Sequence, residues 1–242
     1  MLIREDTSEL FSLFRAILDQ IKVDQKYKPK ESSEDSENKS PNNNGDKDEQ
    51  AWNKKEIRDK SLLKQSMYAL IGNLCIEKDL RLKFASDVQL ILTQVVTDFK
   101  QDLKDRKFDW LDMATKQLAI FINISVEEQG QKSLMTLNVF EELQELVKHC
   151  KSGEKLEREI LERVFNLLSK MLRHPEAAPI VLKQKHTVFK AILYFNNQFA
   201  GELQMNSLRT LHPLMKQPNF QQVCFEEHKF TKSTFDAFAT EV

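Results

Sequence analysis

Five histidines, three cysteines and several paired carboxylates are the side chains through which this chain could do chemistry, and their spacing argues against most of it. His149, His174, His186, His212 and His228 are scattered. No two of them stand four residues apart, the step that places two metal ligands on one helix face. His149 adjoins Cys150, but neighbours in sequence point to different faces of a helix, so the pair is not arranged as nucleophile and base. Cys75, Cys150 and Cys224 are odd in number and far apart, a pattern of buried or idle thiols in a reducing compartment. Glu127-Glu128 and Glu141-Glu142 lie on surface-like segments, where carboxylates serve solubility. No glycine-rich phosphate loop and no Gly-x-Ser-x-Gly elbow is present. The expectation is a non-enzymatic protein with no catalytic residue, metal or cofactor.

Other motifs concern recognition. Ser32 and Ser33 precede acidic residues, and Ser40-Pro41 is a proline-directed pattern, so these serines are candidate phosphorylation sites. Thr240-Glu241-Val242 has the form that PDZ domains capture by strand addition and carboxylate binding, with Thr240 and Val242 as the read residues. Two basic clusters, Lys54/Lys55/Arg58/Lys60/Lys64 and Lys183/Lys185/His186/Lys190, lack interleaved stacking aromatics. Lys plus Arg at 36 balance Asp plus Glu at 37, so nucleic acid is disfavoured as partner. Phe235 and Phe238, three residues apart, mark either core or a docking surface.

The elements that must carry these residues are helices. Only 5 glycines and 6 prolines occur in 242 residues, too few for the many tight turns of a strand-rich fold. Residues 1–27 hold one amphipathic helix, with Leu10, Phe11, Leu13, Phe14, Ile17, Leu18 and Ile21 at three- and four-residue steps. Residues 28–53 are polar and acidic and are expected to be disordered, because they hold too little apolar area to offset ordering entropy. Residues 54–242 resume the helical pattern. No run of about 18 apolar residues and no secretory leader pattern occurs, so the expectation is a cytoplasmic protein without a membrane span.

Within 54–242 the pattern repeats. Ala69-Leu70-Ile71-Gly72-Asn73-Leu74-Cys75 is echoed by Ala119-Ile120-Phe121-Ile122-Asn123-Ile124-Ser125, and each phrase is followed by a short helix and then a longer one. Pro175 and Pro218, 43 positions apart, mark the start of a short helix in two further units. A helical repeat of this length resembles the armadillo/HEAT class, and Ala69–Val96 and Ala119–Val147 are similar to armadillo units. Asp87 and Asn138 stand near the position where armadillo units favour glycine at a positive φ. The resemblance implies an all-α, right-handed superhelical solenoid of about four units. It also implies a groove on the third-helix face, where Asn73 and Asn123 match the residues that hold an extended peptide; Lys170 stands near the equivalent place in the third unit, and Asn73, Asn123, Asn166 and Lys170 together are the expected groove residues. An amide offers both donor and acceptor, which suits gripping a main chain at successive repeats. Ala69 and Ala119 replace the tryptophan that the nuclear-import members carry one turn before this Asn.

The expected function is thus a protein-binding adaptor or scaffold whose partner is another protein or an extended peptide. A chaperone-like or regulatory armadillo module assisting complex assembly is the alternative, with a nucleic-acid-binding helical repeat behind it. The sequence leaves the oligomeric state open.

Overall fold

A computed structural model describes residues 7–25, 45–86, 90–106, 109–151, 153–196 and 201–233. Helices and their connections account for all of them, and no strand occurs among the described residues. By internal contacts the chain divides into two compact units, Met1–Met67 and Tyr68–Val242.

The first unit contains α1 (Thr7–Gln25) and most of α2 (Gly45–Leu74). In α1, Phe11, Phe14 and Leu18 are buried at three- and four-residue steps, and Arg15 pairs with Asp19 across one turn at 2.9 Å. Helix α2 starts at Gly45, inside the 28–53 segment expected to be disordered. Low apolar content limits tertiary burial but does not forbid a helix, whose main-chain hydrogen bonds are internal to it. Residues 26–44 lie outside the described residues.

The second unit runs from the last turns of α2 through three triplets, each a short helix followed by two longer ones, the medium and the long helix in chain order. These are α3 (Lys78–Ser86), α4 (Ile91–Asp105) and α5 (Trp110–Ile124); α6 (Glu128–Thr136), α7 (Val139–His149) and α8 (Lys155–Met171); and α9 (Ala177–Leu182), α10 (Lys185–Asn196) and α11 (Glu202–Met215). A short helix α12 (Phe220–Gln222) and a π-helical turn (Val223–Glu227) follow. Pro175 and Pro218 each stand two residues before a short helix, where a missing N–H costs nothing.

Packing follows the triplets. The long helices pack in series, α5 on α8 and α8 on α11, and the medium helices do the same, α4 on α7 and α7 on α10. Helix α8 buries Ile160, Leu161, Val164, Phe165, Leu167, Leu168 and Met171, more than one stripe, because it is covered from two sides. Edge-to-face ring pairs join neighbouring helices: Phe99 of α4 with Phe121 of α5 (5.5 Å), Phe165 of α8 with Tyr194 of α10 (6.3 Å), and Phe189 of α10 with Phe230 just beyond the π-helical turn (5.4 Å).

A buried polar network ties α2, α4 and α5 together. The Tyr68 hydroxyl donates to Asp98, Gln94 Nε2 donates to Asp98 Oδ1 (2.7 Å), and Gln117 Nε2 donates to Asp102 Oδ2 (3.0 Å). Burial first, and then the Asp98 charge, hold the Tyr68 phenol well above its ordinary range, so it stays a donor.

The turn before the medium helix departs in one copy from the expected residue. Asn138 takes φ 56° before α7, as anticipated, but before α4 the left-handed residue is Leu90 at φ 54°, while Asp87 lies outside the described residues. A branched side chain in this conformation costs about 1–2 kcal/mol. Leu90 is also 54% exposed and sits at the N-cap of α4. Leu90→Asn is therefore expected to stabilise the chain by about 1 kcal/mol, read as a rise in urea midpoint at unchanged slope.

Candidate functional site

The long helices present one polar face in common. Ala119, Ile122 and Asn123 of α5, Glu159, Glu162, Arg163 and Asn166 of α8, and Glu202 and Asn206 of α11 line a cleft of about 430 Å³. On each helix these positions recur at three- and four-residue steps, which places them on a single face.

The cleft floor is stitched by side chains that reach back to the preceding long helix. Asn123 Nδ2 donates to the Gly72 carbonyl at 2.8 Å, and Lys170 Nζ to the Ile122 carbonyl at 3.4 Å. Asn206 Nδ2 donates to the Glu162 carbonyl at 3.4 Å, and Thr210 Oγ1 to the Phe165 carbonyl at 3.2 Å. Asn123 and Lys170 are equivalent in this respect, since Gly72 and Ile122 occupy matching places in their phrases. At the next step the chain has Pro213, which carries no such donor.

The four residues expected to form a groove therefore fare differently. Asn123 and Asn166 come together in the cleft. Lys170 is half-buried and does not line the cleft, its ammonium turned to the Ile122 carbonyl, and burial, then Arg173 and Arg81, lower the ammonium pKa. Asn73 is exposed at the end of α2 and does not line the cleft. Asn123 spends one N–H on Gly72, leaving its second N–H and its carbonyl oxygen as the groups that could face a ligand.

Sequence reasoning missed Glu159, Glu162, Arg163, Glu202 and Asn206. The first three were within reach, being spaced back from Asn166 on one face of α8. Asn206 was not, because it falls 40 residues after Asn166 while the proline breaks align at 43. Arg163 pairs with Glu159 at 2.8 Å and Arg158 with Glu162 at 3.4 Å, both partly exposed and worth little as stabilisation. Glu202 adds a further carboxylate at the α11 end.

The ends of α2 and α5 are locked by a second repeated device. Arg81 donates to the Cys75 and Ile76 carbonyls (3.2 and 2.9 Å) and pairs with Glu127 at 2.7 Å. Gln131 Nε2 donates to the Ser125 carbonyl at 2.9 Å, the same six-residue step one unit later. The Arg81 guanidinium, through its hydrogen bond, holds the Glu127 carboxyl below the usual range.

The side chains with reactive chemistry are placed unfavourably for it. Cys75, Cys150 and Cys224 are free and buried, and burial pushes their thiols up to about 12, about 12 and about 11. An activated thiol needs the opposite shift. His149 Nδ1 lies 3.3 Å from Arg106 Nη1, and burial with that cation lowers its pKa. Cys224 and His228 do stand four residues apart, a spacing the sequence reading passed over. The His228 ring, however, is committed by Nε2 to the Leu182 carbonyl at 2.8 Å. Among the described residues no group of three or more His, Cys, Asp or Glu is arranged to hold a metal, and no helix is long and apolar enough to cross a membrane.

Of the second basic cluster, Lys183 after α9 and Lys185 at the start of α10 are exposed and His186 is half-buried, whereas Lys190 is buried with Nζ 3.4 Å from the Cys150 carbonyl. Ser32, Ser33, Ser40, Phe235, Phe238, Thr240 and Val242 lie outside the described residues.

Comparison of the chain with protein-family models, curated proteins and solved structures returned no match.

Proposed function

We propose that this chain is a non-enzymatic adaptor whose triplets stack as an armadillo-like solenoid and whose long-helix face holds an extended segment of another protein. The observation that carries the reading is the cleft in which Asn123, Asn166 and Asn206 of three successive long helices converge. Each long helix is tied to the previous one through side chain and carbonyl, so the face is preorganised and a ligand pays little to order it. The separate series of long and medium helices are what a solenoid of three-helix units requires. Free, buried cysteines suit a reducing compartment and support a cytoplasmic setting.

Asn123→Ala is a poor probe of this reading, because losing the bond to Gly72 costs about 1 kcal/mol of stability on its own. Asn166→Arg is better: it fills the cleft from a half-buried position on α8. A photo-crosslinker at Ile122 in a tagged chain should capture partner segments across α5, α8 and α11, and Asn166→Arg should abolish that capture at unchanged melting temperature. Recovery of the same crosslinked partners at undiminished yield from the Asn166→Arg chain sinks the proposal. A salt series tests the nucleic-acid alternative, since phosphate contacts lose affinity steeply with added salt.

A further inference from the structure

The row α5–α8–α11 ends on an uncovered face. At the 43-residue offset of the proline breaks, Leu208 and Met215 of α11 correspond to Phe165 of α8 and Leu172 just past its end, both buried. Helix α11 covers that stretch of α8 and bonds its Phe165 carbonyl through Thr210. In α11 itself the two positions are open, Leu208 40% and Met215 61% exposed, and Met205, one turn before Leu208, is 49% exposed beside them in the same stripe. Among the described residues no further long helix follows in the row. Pro213 adds an acceptor to this element, because a residue without N–H leaves the Arg209 carbonyl without its helical bond.

Charges beside the stripe select the occupant. Exposed Glu202 stands at one end of α11 and exposed Lys216 at the other, seven residues to either side of Arg209, or about 10 Å each way along the helix. That arrangement is complementary to itself when reversed. We propose that a second copy of this chain packs α11 against α11, antiparallel about a two-fold axis near Arg209. Glu202 of each copy then meets Lys216 of the other. Met205 inserts between His212 and Met215 of the second copy, and the two Leu208 side chains meet beside the axis. Arg209 does not oppose its own mate, because Asn206 Oδ1 accepts from its Nη1 at 3.2 Å and turns it back along its own helix. The interface is isologous, so it closes at two copies and leaves no open end to polymerise.

Sedimentation equilibrium of the full chain tests this. The expected result is a dimer whose dissociation constant rises roughly hundredfold or more in Leu208→Glu, since two carboxylates then face each other at the axis. Met215→Glu should weaken it similarly, and melting temperatures taken at dilutions where the parental chain is monomeric should hold, because both positions are exposed. Lys216→Glu alone should weaken the dimer, and Glu202→Lys with Lys216→Glu should restore it. Glu202 also lines the cleft, so this pair is scored on mass alone, whereas the cleft reading is scored on Asn166→Arg; either can fail without the other. A chain monomeric at every concentration overturns the proposal, whatever else covers the stripe. So does a dimer indifferent to Leu208→Glu and Met215→Glu, or a reversed pair no better than Lys216→Glu alone.

Discussion

Replacing Gly130 by alanine is expected to destabilise the chain by about 3 kcal/mol, a fall in melting temperature of about 6–12 °C. Gly130 lies in the first turns of α6, where a Cβ would stand 2.1 Å from the Ile124 carbonyl oxygen and 2.6 Å from the Ile124 side chain. The obstructing atom is main chain at the end of α5 and cannot rotate away. Helix α6 would have to move outward by about 1 Å to reach an ordinary carbon–oxygen separation. That shift would strain the bond from Gln131 to the Ser125 carbonyl and expose Leu134, now fully buried. The helix-propensity gain of alanine, at most about 1 kcal/mol, does not offset this. Gly72 is the control. A Cβ there meets Ile120 and Ala119 at 3.6–3.9 Å, ordinary contact, so Gly72→Ala should be neutral or stabilise by up to about 1 kcal/mol. Thermal melts of the two variants side by side decide the matter. Equal melting temperatures would falsify the close approach at Gly130.

Alkali should unfold this chain early, and its thiols should be the reason. Cys75 and Cys150 are pushed from an ordinary 9.0 to about 12, and Cys224 to about 11, in each case chiefly by burial. The folded pKa values exceed the unfolded ones, so the native state holds these protons longer. The stability linked to them is complete below about pH 9 and is lost as pH rises toward 11–12. Once unfolded thiols ionise and folded ones do not, each contributes a slope of about 1.4 kcal/mol per pH unit, roughly 4 for the three. Between pH 8 and 10.5 the loss is about 6 kcal/mol, comparable with the whole stability of a typical domain. Tyr68, raised in the same direction, adds to the fall above its ordinary 10.0. Urea unfolding at several pH values measures the slope. Cys75→Ala with Cys150→Ala should remove about two-thirds of the thiol share of it. A double variant with the parental slope would show that thiol burial does not govern alkaline stability. In the native chain at pH 8 the same burial predicts slow reaction of all three thiols with a disulfide reagent, and fast reaction in urea.

Helix periodicity was legible in the residues because each helix must bury a stripe at three- and four-residue steps. Leu118, Phe121, Val164 and Leu168 declare their helices from spacing alone, and each is fully buried. The repeated phrase at Ala69 and Ala119 likewise marks two helix ends doing one job, closed by Arg81 in one copy and Gln131 in the other. What spacing could not convey is the direction in which a polar side chain is spent. Asn73 and Asn123 are identical in type and matched in position, yet Asn123 is bonded to the helix before it and lines a cleft, while Asn73 lies exposed at the end of α2. Leu90 in a left-handed turn is beyond any residue-type rule, since nothing in its own chemistry favours that φ.

The sequence by itself determined an all-helical chain with a recurring unit, because periodicity and scarce glycine are local properties. Only the tertiary structure decided which faces meet. It brought Glu159, Glu162, Glu202 and Asn206 to Asn123 and Asn166, buried Lys190, and left the Met205–Met215 stripe of α11 open. Contacts between residues forty to fifty apart depend on how far each helix turns and slides against the next, and a displacement of one residue rotates a side chain by about 100° around its helix.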